Sequence, residues 1–403
     1  MSELAIVVIT AALFVWALVS ARLQRADLTP PIVFLVLGGA LAGSGLVDGS
    51  TIPETYAPLV EVTLVWVLFS DAAGLQLQQL RRDAGRVARL LGLGLPLTVV
   101  FGWAAATLLF PQLGPWSALV VAAALAPTDA ALGLPVVTNP AVPSPIRRLL
   151  TVESGLNDGI ITPVVLLAIA GAATAAGMEN AEGAGPALIT LLIGVAVGAV
   201  IGGAGGWLLR WTRRRGVAAE DFVGIGVLAL ALLTYTAAVG VGGNGFVAAF
   251  CGGLAFGASA GSRAKSELVF LEQASNLVSM LVWSVFGAVS VAVVLHRVTV
   301  LTVLYAVLSL TMVRMVPVAL ALTGSGLDVR TVLFVGWFGP RGLASIVFAL
   351  LALDALGPEA DGAVAIIAVT ILLSVLAHGL SATPLARRYG RVAARNGPRS
   401  ARR

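Results

Sequence analysis

The stretch WSALVVAAALAPTDAALGLPVV (116–137) is apolar along its length except at its centre, where Pro127-Thr128-Asp129 interrupts it. A second stretch, TVLFVGWFGPRGLASIVFALL (331–351), carries Gly339-Pro340-Arg341-Gly342 at the corresponding place. Proline removes a backbone donor from a helix and glycine loosens it, so each stretch predicts a helix that is broken near its middle. Such breaks expose polar helix ends. Asp129 can neutralise the N-terminus of one half-helix, and Arg341 can neutralise the C-terminus of another.

The composition of the whole chain places these stretches in a lipid bilayer. Of the 403 residues, 58% are hydrophobic and only 11% are charged, and the mean hydropathy is +0.98. Soluble globular proteins carry about 25% charged residues. The composition therefore excludes a soluble enzyme, a nucleic-acid-binding protein and a disordered chain. The single cysteine, Cys251, excludes an intramolecular disulfide, and no cofactor is expected.

Runs of about 20 mostly apolar residues predict membrane-spanning helices. The sequence contains thirteen such runs: Leu4–Ala21, Pro30–Leu46, Ala57–Leu77, Val87–Phe110, Trp116–Val137, Ile146–Ala176, Pro186–Trp211, Ala219–Val239, Gly242–Ala258, Leu268–Val289, Val298–Leu322, Thr331–Leu353 and Gly362–Leu385. None of them alternates in the way that the strands of a membrane barrel do. We therefore expect an all-α polytopic membrane protein.

The loop charges test this count independently. With the N-terminus outside, 22 of the 25 basic residues fall in cytoplasmic loops, at the cytoplasmic ends of spans or in the tail, as the positive-inside rule requires. This pattern predicts a multi-pass protein of the plasma membrane with a cytoplasmic C-terminus. Residues 1–385 would form a single transporter unit, and residues 386–403 a short basic tail. Arg314 and Arg341 are left inside predicted spans, and Arg297 in an external loop.

Thirteen spans divide into six, one spacer span and six more, and the spacer inverts the second six relative to the first. That topology is typical of inverted-repeat secondary transporters, whose binding sites lie near the midplane at broken helices. The two interrupted stretches are the fifth span of each half, that is, the fifth and twelfth spans of the chain. We therefore expect them to cross at the functional site.

The sixth predicted span carries the densest set of polar residues, TVESGLNDG (151–159). Helical spacing puts Glu153 beside Asn157, and Ser154 beside Asp158. Asp158 is the candidate for a carboxylate that alternates between a proton and a hard monovalent cation. Oxygen ligands suit such a cation, and Thr128, Ser154 and backbone carbonyl groups at the break could supply them.

Glu153 needs a counter-ion at membrane depth, and Arg314 in the eleventh span is the candidate. An ionisable group there costs several kcal/mol unless it is paired or hydrated. If this pair forms, neither charge contributes to the net charge that is moved in each exchange. Exchange of one proton for one cation at Asp158 would then be electroneutral. A cation channel or a membrane scaffold remains the alternative from the residues alone.

Several segments together resemble the NhaP-like sodium/proton antiporters and the related eukaryotic sodium/proton exchangers, the electroneutral branch of the cation:proton antiporters. These segments are APTDAALGLPVV (126–137), VPSPIRRLLTVESGLNDGIITPVV (142–165), TMVRMVPVAL (311–320), GWFGPRGLASIVFALLAL (336–353) and SVLAHGLSATPLARRYG (374–390).

The resemblance implies a homodimer with a core domain and a dimerisation domain, which exchanges Na⁺, and also Li⁺, for H⁺. It implies that Asp158 is the ion and proton site, with Asn157, Ser154 and Thr128 beside it and Asp129 at the crossing. The same resemblance implies the Glu153–Arg314 pair. An exchanger of K⁺ for H⁺ in the same family stays open.

Two further residues are accessory candidates. Asp71 stands in LFSDAAGLQL (68–77), where many relatives have a glutamate. His378, in the last predicted span, titrates near neutrality in water and could sense pH, although a hydrogen-bonded structural role is the simpler interpretation.

Overall fold

The computed structural model describes residues 3–47, 52–75, 77–178, 184–261 and 264–396, and every regular element in these ranges is helical. The α-helices are α1 (Glu3–Arg25), α2 (Pro30–Gly43), α3 (Ile52–Gly74), α4 (Leu77–Arg89), α5 (Leu95–Leu109), α6 (Gly114–Ala124), α7 (Leu134–Val137), α8 (Ser144–Ala175), α9 (Ala184–Arg214), α10 (Glu220–Gly240), α11 (Gly245–Ser259), α12 (Ala264–Arg297), α13 (Val300–Leu310), α14 (Met312–Ala321), α15 (Val329–Trp337), α16 (Leu343–Leu356) and α17 (Asp361–Asn396). A π-helical turn (Leu90–Gly94) joins α4 to α5.

The length and apolar composition of the helices agree with an all-helical membrane protein. Within the described ranges, nine helical stretches are long and apolar enough to cross a bilayer, and α2 and α11 are shorter apolar helices. Each of the thirteen predicted spans overlaps at least one helix. The number of crossings and the inverted repeat remain predictions.

Local sequence explains where several helices begin and end. Asn244 caps α11 by accepting a hydrogen bond from the Val247 N–H at 3.0 Å, and Asp328 caps α15 by accepting one from the Thr331 N–H at 3.2 Å. Such side chains satisfy donors that a helix N-terminus leaves unpaired. Gly177 follows α8 with a φ of +72°, a left-handed conformation that glycine adopts without strain.

Several boundaries differ from those expected, and three of the differences affect the architecture. The eleventh span is not one helix, because Thr311 (φ −110°, ψ −93°) separates α13 from α14. The second half of the fifth span, α7, is only four residues long. Finally, α17 continues past Leu385 to Asn396, so most of the segment expected to be a basic tail is helical.

Close backbone contacts join the helices that flank the site. Gly194, Gly198 and Gly202 of α9 lie against backbone atoms of α11 and of its N-cap residue Asn244, where a Cβ atom would overlap those atoms. Gly253 and Gly257 of α11 meet the backbone of α3 in the same way. Small residues allow membrane helices to approach this closely. Helices α9, α11 and α3 therefore pack as a tight layer, and α3 also contacts α8 and α16, which carry the site.

Candidate functional site

The two broken spans meet at their interruptions. The fifth span leaves helical geometry after Ala124 and resumes it at Leu134, whereas the twelfth is open between Trp337 and Leu343. The Asp129 N–H donates to the Pro340 carbonyl oxygen at 2.8 Å. This hydrogen bond joins the two breaks directly.

Asp129 lies at the N-terminus of the half-helix α16. Its Oδ2 accepts from the Leu343 N–H at 3.0 Å, and its Oδ1 accepts from the Ala131 N–H at 2.6 Å. A negative charge there interacts favourably with the partial positive charge of the helix end. The Asp129 side chain fills the space that a Cβ atom on Gly342 would occupy, which explains the glycine at that position.

Arg341 lies at two helix C-termini. Its side chain is fully buried, and its Nη1 donates to the carbonyl oxygens of Ala126 at 2.7 Å and Pro127 at 3.1 Å. Its Nη2 donates to the carbonyl oxygen of Ser309, at the end of α13, at 3.3 Å. The interruption at Thr311 frees that carbonyl from its helical partner. The guanidinium group of Arg341, which belongs to the twelfth span, therefore satisfies carbonyl groups of two other interrupted spans, the fifth and the eleventh.

The polar residues of α8 lie beside the crossing. The hydroxyl groups of Thr128 and Ser154 are 3.0 Å apart, and Asn157 Nδ2 donates to Thr128 Oγ1 at 2.8 Å. Asp158 is 8% exposed, and its Oδ1 is buried without a hydrogen-bond partner among the described residues. Buried polar atoms usually have partners. An unpartnered carboxylate oxygen beside two hydroxyl groups is an arrangement that can coordinate a hard cation or take up a proton.

Glu153, on the same helix, pairs with Arg314 of α14. Arg314 Nη2 donates to Glu153 Oε1 at 2.6 Å, and both side chains are almost fully buried. Gly339 makes room for this pair, because a Cβ atom there would overlap Arg314.

A cavity of about 650 Å³ leads to Asp158 from one end of the molecule. Its outer wall includes Gln24 and Pro30, at the junction of α1 and α2, and Leu75, at the end of α3. These are helix ends whose loops the positive-inside rule assigns to the cytoplasm. On the opposite side of Asp158, Ile161, Thr162 and Val165 of α8 are buried, so the cavity ends near the carboxylate.

The cavity is lined by acidic residues. Asp71, Asp129, Asp158 and Glu272 all contribute to its wall, and no arginine, lysine or histidine is among its described lining residues. Asp71 reaches the cavity beside Gly155, which lies one helical turn before Asp158. The electrostatic character of the cavity therefore favours cations.

His378 does not line this cavity. It is buried behind the twelfth-span break, where its Nε2 donates to the Trp337 carbonyl oxygen at 2.9 Å. Its Nδ1 lies 3.1 Å from the hydroxyl of Ser374, which accepts from the Arg341 N–H at 2.7 Å. His378 and Ser374 thus connect the two sides of the break.

The sequence marks Glu272 as an ionisable residue near the end of the tenth predicted span, but it does not predict that α12 contributes to the site. Glu272, Ser275, Asn276 and Ser279 all line the cavity wall. Their spacing of three, four and seven residues in an otherwise apolar span was the available signal. No group of three or more potential metal-ligating His, Cys, Asp or Glu side chains occurs in the part of the chain that the structure describes.

Comparison with known proteins agrees with this architecture. The family described as "Sodium/hydrogen exchanger, transmembrane" matches residues 8–388, and the chain belongs to that family. A probable Na⁺/H⁺ antiporter of Schizosaccharomyces pombe is 26% identical over 354 residues, covering 79% of this chain and 46% of the relative. A second Na⁺/H⁺ antiporter of that yeast is 27% identical over 324 residues, covering 70% and 68%. The chain spans about half the length of the first relative.

Solved structures show the same fold. The sodium proton antiporter MjNhaP1 from Methanocaldococcus jannaschii at pH 8 superposes with a TM-score of 0.77 at 20% identity, covering 94% of this chain and 100% of that one. An electron-microscopy map of the same antiporter gives a TM-score of 0.75 at 21% identity, covering 99% and 100%. The expected family, all-helical class and membrane location are therefore confirmed.

Proposed function

We propose that this protein is a secondary active antiporter that exchanges Na⁺, and also Li⁺, for H⁺ through competition for Asp158. The observation that carries the proposal is a buried carboxylate with an unpartnered oxygen at the inner end of a one-sided acidic cavity. The hydroxyl groups of Thr128 and Ser154 would complete an oxygen-lined site, and Asn157 would orient Thr128.

The neighbouring charges support a one-to-one stoichiometry. Glu153 is neutralised by Arg314, and Asp129 is held by backbone N–H groups, so neither is available to carry a second proton. Asp158 is left to exchange one H⁺ for one monovalent cation, which is electrically silent. We assign Asp71, at the cavity wall beside Gly155, as a further oxygen donor to the cation.

One-sided access to Asp158 supports alternating access rather than a channel. A channel needs a continuous pore, whereas Ile161, Thr162 and Val165 are buried beyond the carboxylate. Occupancy by a cation or proton would neutralise Asp158 and lower the cost of moving it past the apolar barrier. If the C-terminus lies in the cytoplasm and the protein is in the plasma membrane, the cavity opens toward the cytoplasm. The structure would then be the inward-open state.

We also propose a homodimer. Helices α1 and α9 expose much apolar surface and have the least buried apolar windows among the nine candidate spans. A second copy or lipid must cover them. Formation of a disulfide-linked dimer by Leu192→Cys in α9, in a Cys251→Ser background, would support this surface, and a monomer in native membrane fragments would contradict it.

The decisive experiment measures coupled fluxes in proteoliposomes. An imposed Na⁺ gradient should drive H⁺ movement at the same rate with and without a membrane potential clamped by valinomycin and K⁺. Because the two ions compete, the apparent KM for Na⁺ should rise as the pH is lowered. A panel of Na⁺, Li⁺ and K⁺ identifies the substrate and distinguishes the K⁺/H⁺ alternative.

Substitution at the site then assigns the exchange to Asp158. Asp158→Asn should abolish coupled exchange and leave a folded protein. The control variant is Asp354→Asn, because Asp354 is exposed and, by the predicted topology, lies on the far side of the molecule from the cavity mouth. This control should retain coupled exchange. Cation flux that follows its gradient without H⁺ movement would instead establish a channel. Coupled exchange in Asp158→Asn would refute the assignment.

A further inference from the structure

Part of the wall of the cavity that contains Asp158 is a polar stripe on α12. Glu272, Ser275, Asn276 and Ser279 lie three, four and seven residues apart, so they share a single face of the helix. All four line the cavity. α12 also contacts α16 of the crossing, but it carries none of the residues assigned to the ion site above.

Ser275 gives the independent sign of a ligand. Its side chain is 5% exposed, and its Oγ has no hydrogen-bond partner within the described ranges, although it is one helical turn from Glu272. A buried hydroxyl group without a partner loses its hydration and gains nothing in return. A group that enters the cavity and contacts this face would supply the missing interaction.

The charges identify the chemical class of that group. The carboxylate of Glu272 interacts electrostatically with that of Asp71, and Asp71 interacts in turn with Asp158. Glu272 is the ninth residue of α12, whereas Asp158 is the fifteenth residue of α8, so Glu272 lies nearer to the helix ends at the cavity mouth. In a cavity whose described lining includes no basic side chain, only a cation is attracted to both positions.

We propose that Glu272 and Ser275, with the side-chain amide oxygen of Asn276, form an outer subsite for the transported monovalent cation. The cation would pause there, held by oxygen atoms, before it moves inward to Asp158. This inference rests on the proposed antiport function and adds the step by which the cation is captured. Because the outer subsite lies on α12 and not on α8, it governs the capture of the cation and not its exchange for H⁺.

The test compares the kinetics of Na⁺-driven H⁺ flux in matched variants. Glu272→Gln should raise the apparent KM for Na⁺ by about 3- to 10-fold at low ionic strength, because the attracting charge is lost. Added choline chloride should shrink that difference by screening. Ser275→Ala should raise the KM by a smaller factor that added salt does not change, because only a short-range ligand is removed. Maximal rates should stay close to wild type in both variants.

The controls separate capture from folding and from the proposed function. Glu272→Asp keeps the charge and should recover most of the wild-type KM, whereas Glu359→Gln, an exposed acid outside the cavity lining, should change nothing. An unchanged KM in both Glu272→Gln and Ser275→Ala, or a lower maximal rate at unchanged KM, would overturn the subsite. If wild-type protein shows no Na⁺-coupled H⁺ flux, the antiport function itself fails.

A binding measurement tests the subsite even without transport. In an Asp158→Asn background, Na⁺ should still raise the unfolding temperature of the purified protein, because a ligand bound only by the native state stabilises it. Adding Glu272→Gln should remove that rise, whereas adding Glu359→Gln should preserve it. A rise that survives Glu272→Gln would place the remaining Na⁺ elsewhere and refute the assignment.

Discussion

Removing either partner of the Glu153–Arg314 ion pair should destabilise the protein far more than removing the charge of Asp158. The pair is made at 2.6 Å, and both side chains are almost completely buried, so a single substitution leaves one charge without a partner. Truncation of one partner of such a pair costs about 3–5 kcal/mol. Asp158→Asn breaks no ion pair and should change the free energy of unfolding by about 1 kcal/mol or less.

The measurement is reversible unfolding in mixed detergent micelles, in which the free energy of unfolding is compared for Glu153→Ala, Arg314→Ala and Asp158→Asn. The double variant Glu153→Ala/Arg314→Ala, which removes both charges, should lose less than the sum of the two single variants. A double-mutant cycle should then give a coupling energy on the order of 2 kcal/mol. Single variants that stay within about 1 kcal/mol of wild type, or effects that simply add, would refute the reasoning.

Two further predictions concern the crossing of the broken spans. Gly342→Ala should lower the free energy of unfolding by about 1–3 kcal/mol and impair exchange, because the new Cβ atom overlaps Asp129. Gly226→Ala in α10, with open space around it, should be neutral in the same assays, and equal effects of the two would contradict the steric argument. His378→Leu should cost about 1–3 kcal/mol by removing the hydrogen bonds of the imidazole ring to the Trp337 carbonyl and the Ser374 hydroxyl, and His378→Gln should recover part of that loss. Equal stability of the leucine and glutamine variants would show that these hydrogen bonds contribute little.

Much of the architecture follows from local rules. Hydropathy identifies the apolar helices, and proline and glycine mark the interruptions at Pro127 and Pro340, because both residues act on the backbone of their own segment. The family and the all-helical membrane class predicted from these features are confirmed. Counting the arginines outside the loops also leads to Arg314, which the structure places against Glu153.

Other features depend on contacts that a single segment does not encode. The interruption at Thr311 has neither proline nor glycine beside it, and it coincides with the hydrogen bond from Arg341 to the Ser309 carbonyl. Similarly, the polar face of α12 can be recognised as part of the site only because it lines the same cavity as Asp158. Spacing alone could show that Glu272 and Ser275 share a face, but not which helix that face meets.

The glycine contacts among α9, α11 and α3 also determine where the protein can deform. Where two backbones touch without intervening side chains, sliding by even a fraction of a helical turn drives Cα atoms into carbonyl groups, so this layer resists shear. The cavity that α8 and α12 both line contains no such backbone contact between them, so it offers less resistance to a relative displacement of its walls. Substituting Gly198 or Gly253 by alanine should therefore disturb assembly of the stiff layer. In the alternating-access cycle proposed above, substitutions at the cavity wall would change the rate of the cycle instead.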